Sequence, residues 1–270
     1  MTPTYHNDTY PAISPTKSSL NQSGKTILIT GRRSGIGFEI ARSFANASAS
    51  RIIIVGRRNS VLKESVAKLR DEFKTAEFIT RQGDIGSAES ITSLWEFLHA
   101  QSIFVHVLQV VLNAAYGTDT VSIDWTKIAQ SANTNLVGNF HMSSRFIGQT
   151  LRPSGQQLNL INISTGAIHA HPVPDAVYAT TKAAFTSLVG RIADERPAED
   201  VQIISFHPGS ARVFDKSLFK WDAFTLPANF SVWAASPEAS WLHGRFVWGG
   251  YLKVGVKGLG QVDPASFLNN

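Results

Sequence analysis

The 270-residue sequence contains no cysteine. That excludes disulfides, thiolate nucleophiles, iron–sulfur clusters and cysteine-based zinc sites at once. No apolar stretch approaches the roughly 20 residues needed to span a bilayer. The N-terminal MTPTYHNDTYPAISPTKSSLNQSG has no basic start followed by an apolar segment, so it is not read as a secretory leader. There is also no run of Lys or Arg. Lys+Arg 25 against Asp+Glu 20 leaves a mild excess of +5. Without a basic run this does not argue for nucleic acid, and it favours an anionic ligand. The expectation is a cytoplasmic enzyme or binding protein for small molecules, with no membrane or nucleic-acid partner.

What is present is a globular composition, 43% hydrophobic and 17% charged. A chain of this length buries about three quarters of its unfolded surface and needs no metal to fold. Residues 1–24 are polar, with prolines at Pro3, Pro11 and Pro15, and read as an arm along the surface. From Lys25 the pattern changes. Short apolar runs at Thr26–Thr30, Arg51–Val55, Ala76–Thr80, Val105–Leu112, Leu158–Ile163 and Val201–Phe206 read as buried strands, and Arg245–Trp248 as a seventh. Helical periodicity fills the intervals at Ile36–Ala47, Ser60–Phe73, Ser87–Ala100, about Asp124–Leu151 and Asp175–Arg196. Strands alternating with helices imply a single α/β domain over 25–270: a doubly wound, Rossmann-type parallel sheet of about seven strands with helices on both faces. Ligands of such sheets bind beyond the carboxyl ends of the strands.

The first strand runs straight into Thr30-Gly31-Arg32-Arg33-Ser34-Gly35-Ile36-Gly37, and a helix follows. Gly31 allows a tight turn, Gly35 a close approach to a pyrophosphate, and Gly37 close packing of helix on strand. The helix turns its free N–H groups towards phosphate. This spacing, G-x-x-x-G-x-G, resembles the opening of the short-chain dehydrogenase/reductase (SDR) family. The resemblance implies a nicotinamide cofactor lying on Gly31, Arg33, Ser34, Gly35, Ile36 and Gly37.

A site for NAD usually carries an acid about 20 residues after the glycines, to bond the ribose 2′-hydroxyl. Here the second strand ends in Gly56-Arg57-Arg58, and no acid occurs until Glu64. Guanidinium binds a 2′-phosphate through paired hydrogen bonds. NADP(H) is therefore expected, with Arg57 as the main selector. Some of the four arginines 32, 33, 57 and 58 face solvent, Arg33 and Arg58 first among them. The resemblance adds Asp84 and Ile85 after the third strand, on the adenine, although Asp84 also suits a loop cap. It adds Asn113 in Leu112-Asn113-Ala114-Ala115, where the family usually has N-N-A-G. It adds Pro208, Gly209 and Ser210 beside the nicotinamide.

Tyr178-Ala179-Thr180-Thr181-Lys182 is the Y-x-x-x-K of the family. Residues four apart on a helix are neighbours, which brings an ammonium near a phenol. Ionising a tyrosine near neutral pH needs a shift of roughly 3 units, about 4 kcal/mol. One charge about 4 Å away at an effective dielectric of 20 supplies about that much. By resemblance, Tyr178 is the proton donor, and Lys182 lowers its pKa and holds the ribose. A hydroxyl about a dozen residues before the tyrosine orients substrate. Thr165 has the more usual register, and Ser164 stays open. Asn135, in Asn133-Thr134-Asn135-Leu136-Val137-Gly138, would kink its helix and serve a proton relay. His207, before Pro208, is expected to act through its backbone.

Val213–Phe230 is rich in Phe, Trp and Leu and suits either a lid or ordinary packing. Leu242-His243-Gly244-Arg245-Phe246-Val247-Trp248 is similar to a fungal branch of the family associated with secondary metabolism. The expected activity is NADPH-dependent reduction of a carbonyl on a small apolar metabolite. The alternatives are the reverse alcohol oxidation, a non-catalytic NADPH-binding regulator, and dehydratase or isomerase chemistry. The family usually forms dimers or tetramers through its two long helices.

Overall fold

The computed structural model describes residues 5–31, 35–111, 124–170, 176–209 and 222–250. Strands β1 (Thr26–Thr30), β2 (Arg51–Gly56), β3 (Glu77–Gln82), β4 (Val107–Val111), β5 (Leu158–Ile163), β6 (Val201–His207) and β7 (Phe246–Trp248) form one sheet in the order β3-β2-β1-β4-β5-β6-β7. Every neighbouring pair is parallel. The strand order reverses between β1 and β4, which opens a crevice there at the carboxyl edge. This is the doubly wound α/β architecture that the alternating pattern predicts.

The central strands are apolar at successive positions because both sheet faces are covered. Ile27 and Ile29 of β1 pack with α1 (Gly35–Asn46), α2 (Asn59–Glu72) and α8 (Thr225–Ala234). Leu28, between them, faces α3 (Ala88–Ala100), α5 (Asn139–Ile147) and α7 (Ala176–Glu195). The edge strand β3 buries only Phe78 among its six residues, as an unpaired border requires. Ser87 caps α3 by accepting the Ser90 N–H at 3.1 Å.

Two elements differ from the sequence pattern. The expected helix from Asp124 to Leu151 is divided: α4 (Trp125–Ala132) passes through a π-turn at Asn133–Gly138 into α5. The turn has a cause in tertiary packing. Gly138 slides under the β3–α3 loop so closely that a Cβ there would lie 1.9 Å from the Ile85 carbonyl oxygen. The Asn139 amide then donates to the Thr134 and Asn135 carbonyls at 2.7 and 3.1 Å. The second difference is the N-terminal arm. Residues 5–24 do run along the outside, but they also bury Tyr10, Ile13 and Leu20 in the layer with α1 and α8. A Lys17–Glu238 ion pair at 2.6 Å and the Gln22 N–H on the Ala47 carbonyl fasten the segment. Of the Val213–Phe230 segment, the described part is packing: Leu226 and Phe230 are fully buried in α8.

Gly138→Ala should force the π-turn off the Ile85 carbonyl. A loss of about 1–3 kcal/mol of stability is expected from such overpacking, read as a lower midpoint in urea unfolding; an unchanged midpoint would contradict the close approach.

Candidate active site

The sheet delivers its site residues one strand end at a time. Gly31 follows β1 with φ +75°, and a Cβ there would sit 2.1 Å from the Val111 carbonyl oxygen. Only glycine fits this turn against β4. Gly35 opens α1, whose first N–H groups lack helical acceptors. Ile36 is half-buried and Gly37 buried behind it. Arg57 and Arg58 stand exposed just past β2, and neither forms an ion pair among the described residues. Helix-end N–H groups, a glycine turn and exposed guanidiniums fit an anionic dinucleotide. Arg33, Ser34, Asn113 and Ser210 lie outside the described residues.

Past β3, Asp84 caps its own loop: its Oδ1 accepts the Gly86 N–H at 2.9 Å. Ile85 lends its carbonyl to the contact with Gly138. The Asn133 side chain donates to the Gly86 carbonyl at 2.6 Å. The loop that carries Asp84 is thus tied to the π-turn that carries Asn135.

The π-turn and α7 meet at a buried pair. Asn135 is fully buried, and its Nδ2 donates to Thr181 Oγ1 at 3.0 Å. Thr181 in turn donates to the Val177 carbonyl at 2.9 Å, one turn back in α7. Lys182 is fully buried, and its Nζ donates to the Ile163 carbonyl at the end of β5 at 2.6 Å. The same nitrogen lies 5.6 Å from the centre of the Tyr178 ring. Tyr178 and Lys182 therefore share one face of α7 beside the end of β5, as their spacing predicts. Burial pushes the Lys182 pKa well down, so the site opposes the ammonium that the simple Coulomb argument assumes.

The two candidate hydroxyls separate. Ser164 is buried, and its Oγ is 2.7 Å from Thr186 Oγ1 inside the α7 packing. Thr165 is half-buried and accepts the Ala167 N–H at 3.2 Å, which leaves its own hydroxyl hydrogen for another acceptor. Of the pair, Thr165 alone keeps partial exposure at the strand end.

His207 enters through its side chain, contrary to the expected backbone part. Its Nδ1 accepts the Gly166 N–H at 3.0 Å, which fixes the residue after Thr165 to the end of β6. Its ring meets Trp248 of β7 edge-on at 4.6 Å. Trp248 also presses on Gly166, where a Cβ would be 2.6 Å from the indole. Pro208 and Gly209 follow, Gly209 with φ +93°. Thr181 and His207 were visible in sequence only as neighbours of motifs: one inside Y-x-x-x-K, the other before the Pro-Gly turn.

A family model described as short chain dehydrogenase matches residues 25–216. The short chain dehydrogenase/reductase nsrO of Aspergillus novofumigatus is 32% identical over 254 residues, covering 90% of this chain and 86% of that protein. Relatives from Claviceps purpurea and Monascus ruber carry similar names, in keeping with the fungal likeness of the Leu242–Trp248 segment. Among solved structures, a short chain dehydrogenase/reductase family protein is 31% identical with a TM-score of 0.70, covering 85% of this chain and 98% of its own. L-sorbose reductase from Gluconobacter frateurii, solved with NADPH and L-sorbose, shares the fold at 21% identity and a TM-score of 0.76, with 87% and 99% covered.

His207 gives the site a pH signature. Burial is the main cause that lowers its pKa from 6.5 to about 4; Lys182 adds to this and Asp222 opposes it. The folded state thus holds the neutral ring whose Nδ1 can accept. Above pH 6.5 this contribution is complete; as pH falls from 6.5 towards 4 the unfolded chain gains a proton that the folded chain refuses, and stability is lost. His207→Asn keeps an acceptor and removes the titration. Its melting temperature should match wild type at pH 7 and fall less steeply down to pH 4.5. Parallel curves would mean that the ring titrates in the folded state as it does in the unfolded chain.

Proposed function

Because the chain belongs to the short-chain dehydrogenase/reductase family of oxidoreductases, we propose that it is an NADPH-dependent carbonyl reductase of the cytoplasm, acting on a small apolar ketone or aldehyde. One observation carries the reading: Tyr178 and Lys182 lie on the same face of α7, and Lys182 Nζ is buried against the end of β5, 5.6 Å from the phenol ring. The cofactor, when bound, supplies a hydride to the carbonyl carbon. Tyr178 donates its phenolic proton to the carbonyl oxygen, so that carbonyl, hydride and proton balance as an alcohol. Thr165, the half-exposed hydroxyl at the end of β5, donates a hydrogen bond to the same oxygen as negative charge grows there.

Lys182 serves this step by its charge. Burial disfavours the ammonium, its acceptor among the described residues is the Ile163 carbonyl, and further acceptors such as hydroxyl oxygens favour the charged form. The lysine thus favours the phenolate that remains after proton transfer. Asn135 holds α7 through Thr181 and serves the relay that reprotonates Tyr178. Arg57 is the group for a 2′-phosphate: it is exposed beyond β2, and no carboxylate follows before Glu64. The NADPH in the L-sorbose reductase complex belongs to that protein and lends the choice support. An apolar substrate suits the aromatic rings at the carboxyl edge, Trp248 against His207 and Gly166 and Phe224 over Gly35.

Tyr178→Phe should bind NADPH with wild-type affinity and lose at least about 100-fold in kcat, the usual scale of a general acid; retained turnover would remove the proton-donor assignment. Wild type should prefer NADPH to NADH in kcat/KM, and Arg57→Ala should raise the KM for NADPH while that for NADH stays level. Equal use of both nucleotides by wild type would overturn the cofactor choice.

A further inference from the structure

Residues 5–9 form a strap across the carboxyl edge of the sheet, and their partners are unusual for a terminal segment. The Tyr5 hydroxyl donates to Asp222 Oδ2 at 2.6 Å, and the Asn7 amide to Asp222 Oδ1 at 3.0 Å. The Asn7 carbonyl accepts the Ala223 N–H at 2.8 Å, and the Asp8 carboxylate accepts the Thr225 hydroxyl. Thr9 Oγ1 accepts the Asn229 amide at 2.6 Å, and Asn229 accepts from Ser43 of α1. On the other side, the His6 N–H donates to the Gly250 carbonyl just past β7.

Asp222 is the centre of this arrangement. It is only 7% exposed, and a carboxylate that deep needs donors on both oxygens. The strap supplies one to each. The carboxylate also lies against the turn after β6: a Cβ on Gly209 would be 2.4 Å from Oδ2. Gly209 and Asp222 bracket residues 210–221 in sequence and meet in space. Two residues further on, Phe224 rests on the other wall of the crevice. Its ring is 3.1 Å from where a Cβ on Gly35 would be, at the start of α1.

We propose that the strap is a positioning element of the dinucleotide site: Tyr5 and Asn7 set the Asp222 carboxylate against Gly209 and so hold the Pro208-Gly209 turn and the Phe224 wall in the geometry that receives the cofactor. The proposal rests on the nucleotide-binding reading above. No motif of the nucleotide site includes these residues. They lie more than 200 residues from Asp222 in sequence, and their side-chain contact nearest the Pro208-Gly209 turn is with that carboxylate. Without these two donors the carboxylate loses part of what sets it against Gly209, and the turn beside it is held less firmly.

Two variants separate positioning from simple bracing. Tyr5→Phe/Asn7→Ala removes the Tyr5 and Asn7 donors to Asp222 and leaves the Asn7 carbonyl bond in place. Thr9→Val loosens the same strap without touching Asp222. NADPH binding is read by fluorescence titration at a temperature where every variant is folded, and melting temperatures are read in parallel. The double variant should bind NADPH about ten-fold more weakly, the scale of a lost hydrogen bond to a charged group. Thr9→Val should lower the melting temperature and keep wild-type affinity. A double variant that binds as tightly as wild type, or a Thr9→Val variant that loses as much affinity, overturns the positioning claim alone. A wild-type chain that binds neither NADPH nor NADH overturns the site reading and the strap with it.

Discussion

The arrangement depends on one buried contact, Lys182 Nζ on the Ile163 carbonyl at 2.6 Å. Taking an amine wholly out of water is costly, and among the described residues the structure answers with a short hydrogen bond at the end of a strand. That bond docks α7 on the last residue of β5. Once it is made, helical geometry alone puts Tyr178 one turn away on the same side, and Thr181 falls where Asn135 can reach it. Burial lowers the pKa of the amine, and any added acceptor opposes that shift.

Around this anchor the strand ends are tied to one another rather than left as separate loops. Asn133 joins the loop after β3 to the π-turn, and His207 joins the loop after β5 to the end of β6. In each case a side chain from one element satisfies a main-chain group of another. Such ties cost ordering entropy during folding, so the crevice does not pay it again when a ligand enters.

The fold was legible because its signal is local. Buried parallel strands such as Ile52–Val55 and Leu158–Ile163 are apolar runs, and their helices repeat at 3.6 residues; both follow from covering the two faces of a sheet. The glycine loop and Tyr178/Lys182 were legible for the same reason, since each is a short motif on one element. The rest depends on residues distant in sequence. Tyr10, Ile13 and Leu20 have no period, so the N-terminal segment read as a surface arm although it contributes to the core. The choice between Ser164 and Thr165 turns on Thr186, more than twenty residues away in the sequence. His207 shows its side-chain contact only when β5 and β6 are paired. The break between α4 and α5 has a nearby glycine, but its cause is the Ile85 carbonyl from another loop.

The widened turn at Asn133–Gly138 makes scaffold and chemistry separable. A π-turn contains one residue more than regular helix. Loss of a single codon there would let α4 run into α5 as one continuous rod, with every backbone group still bonded. The side chain left at the Asn135 position would swing by about 100° around the axis. A descendant gene could in this way keep the sheet, its crevice and the proposed nucleotide site while giving up the proposed proton path, which is a short evolutionary step from catalyst to ligand-binding protein.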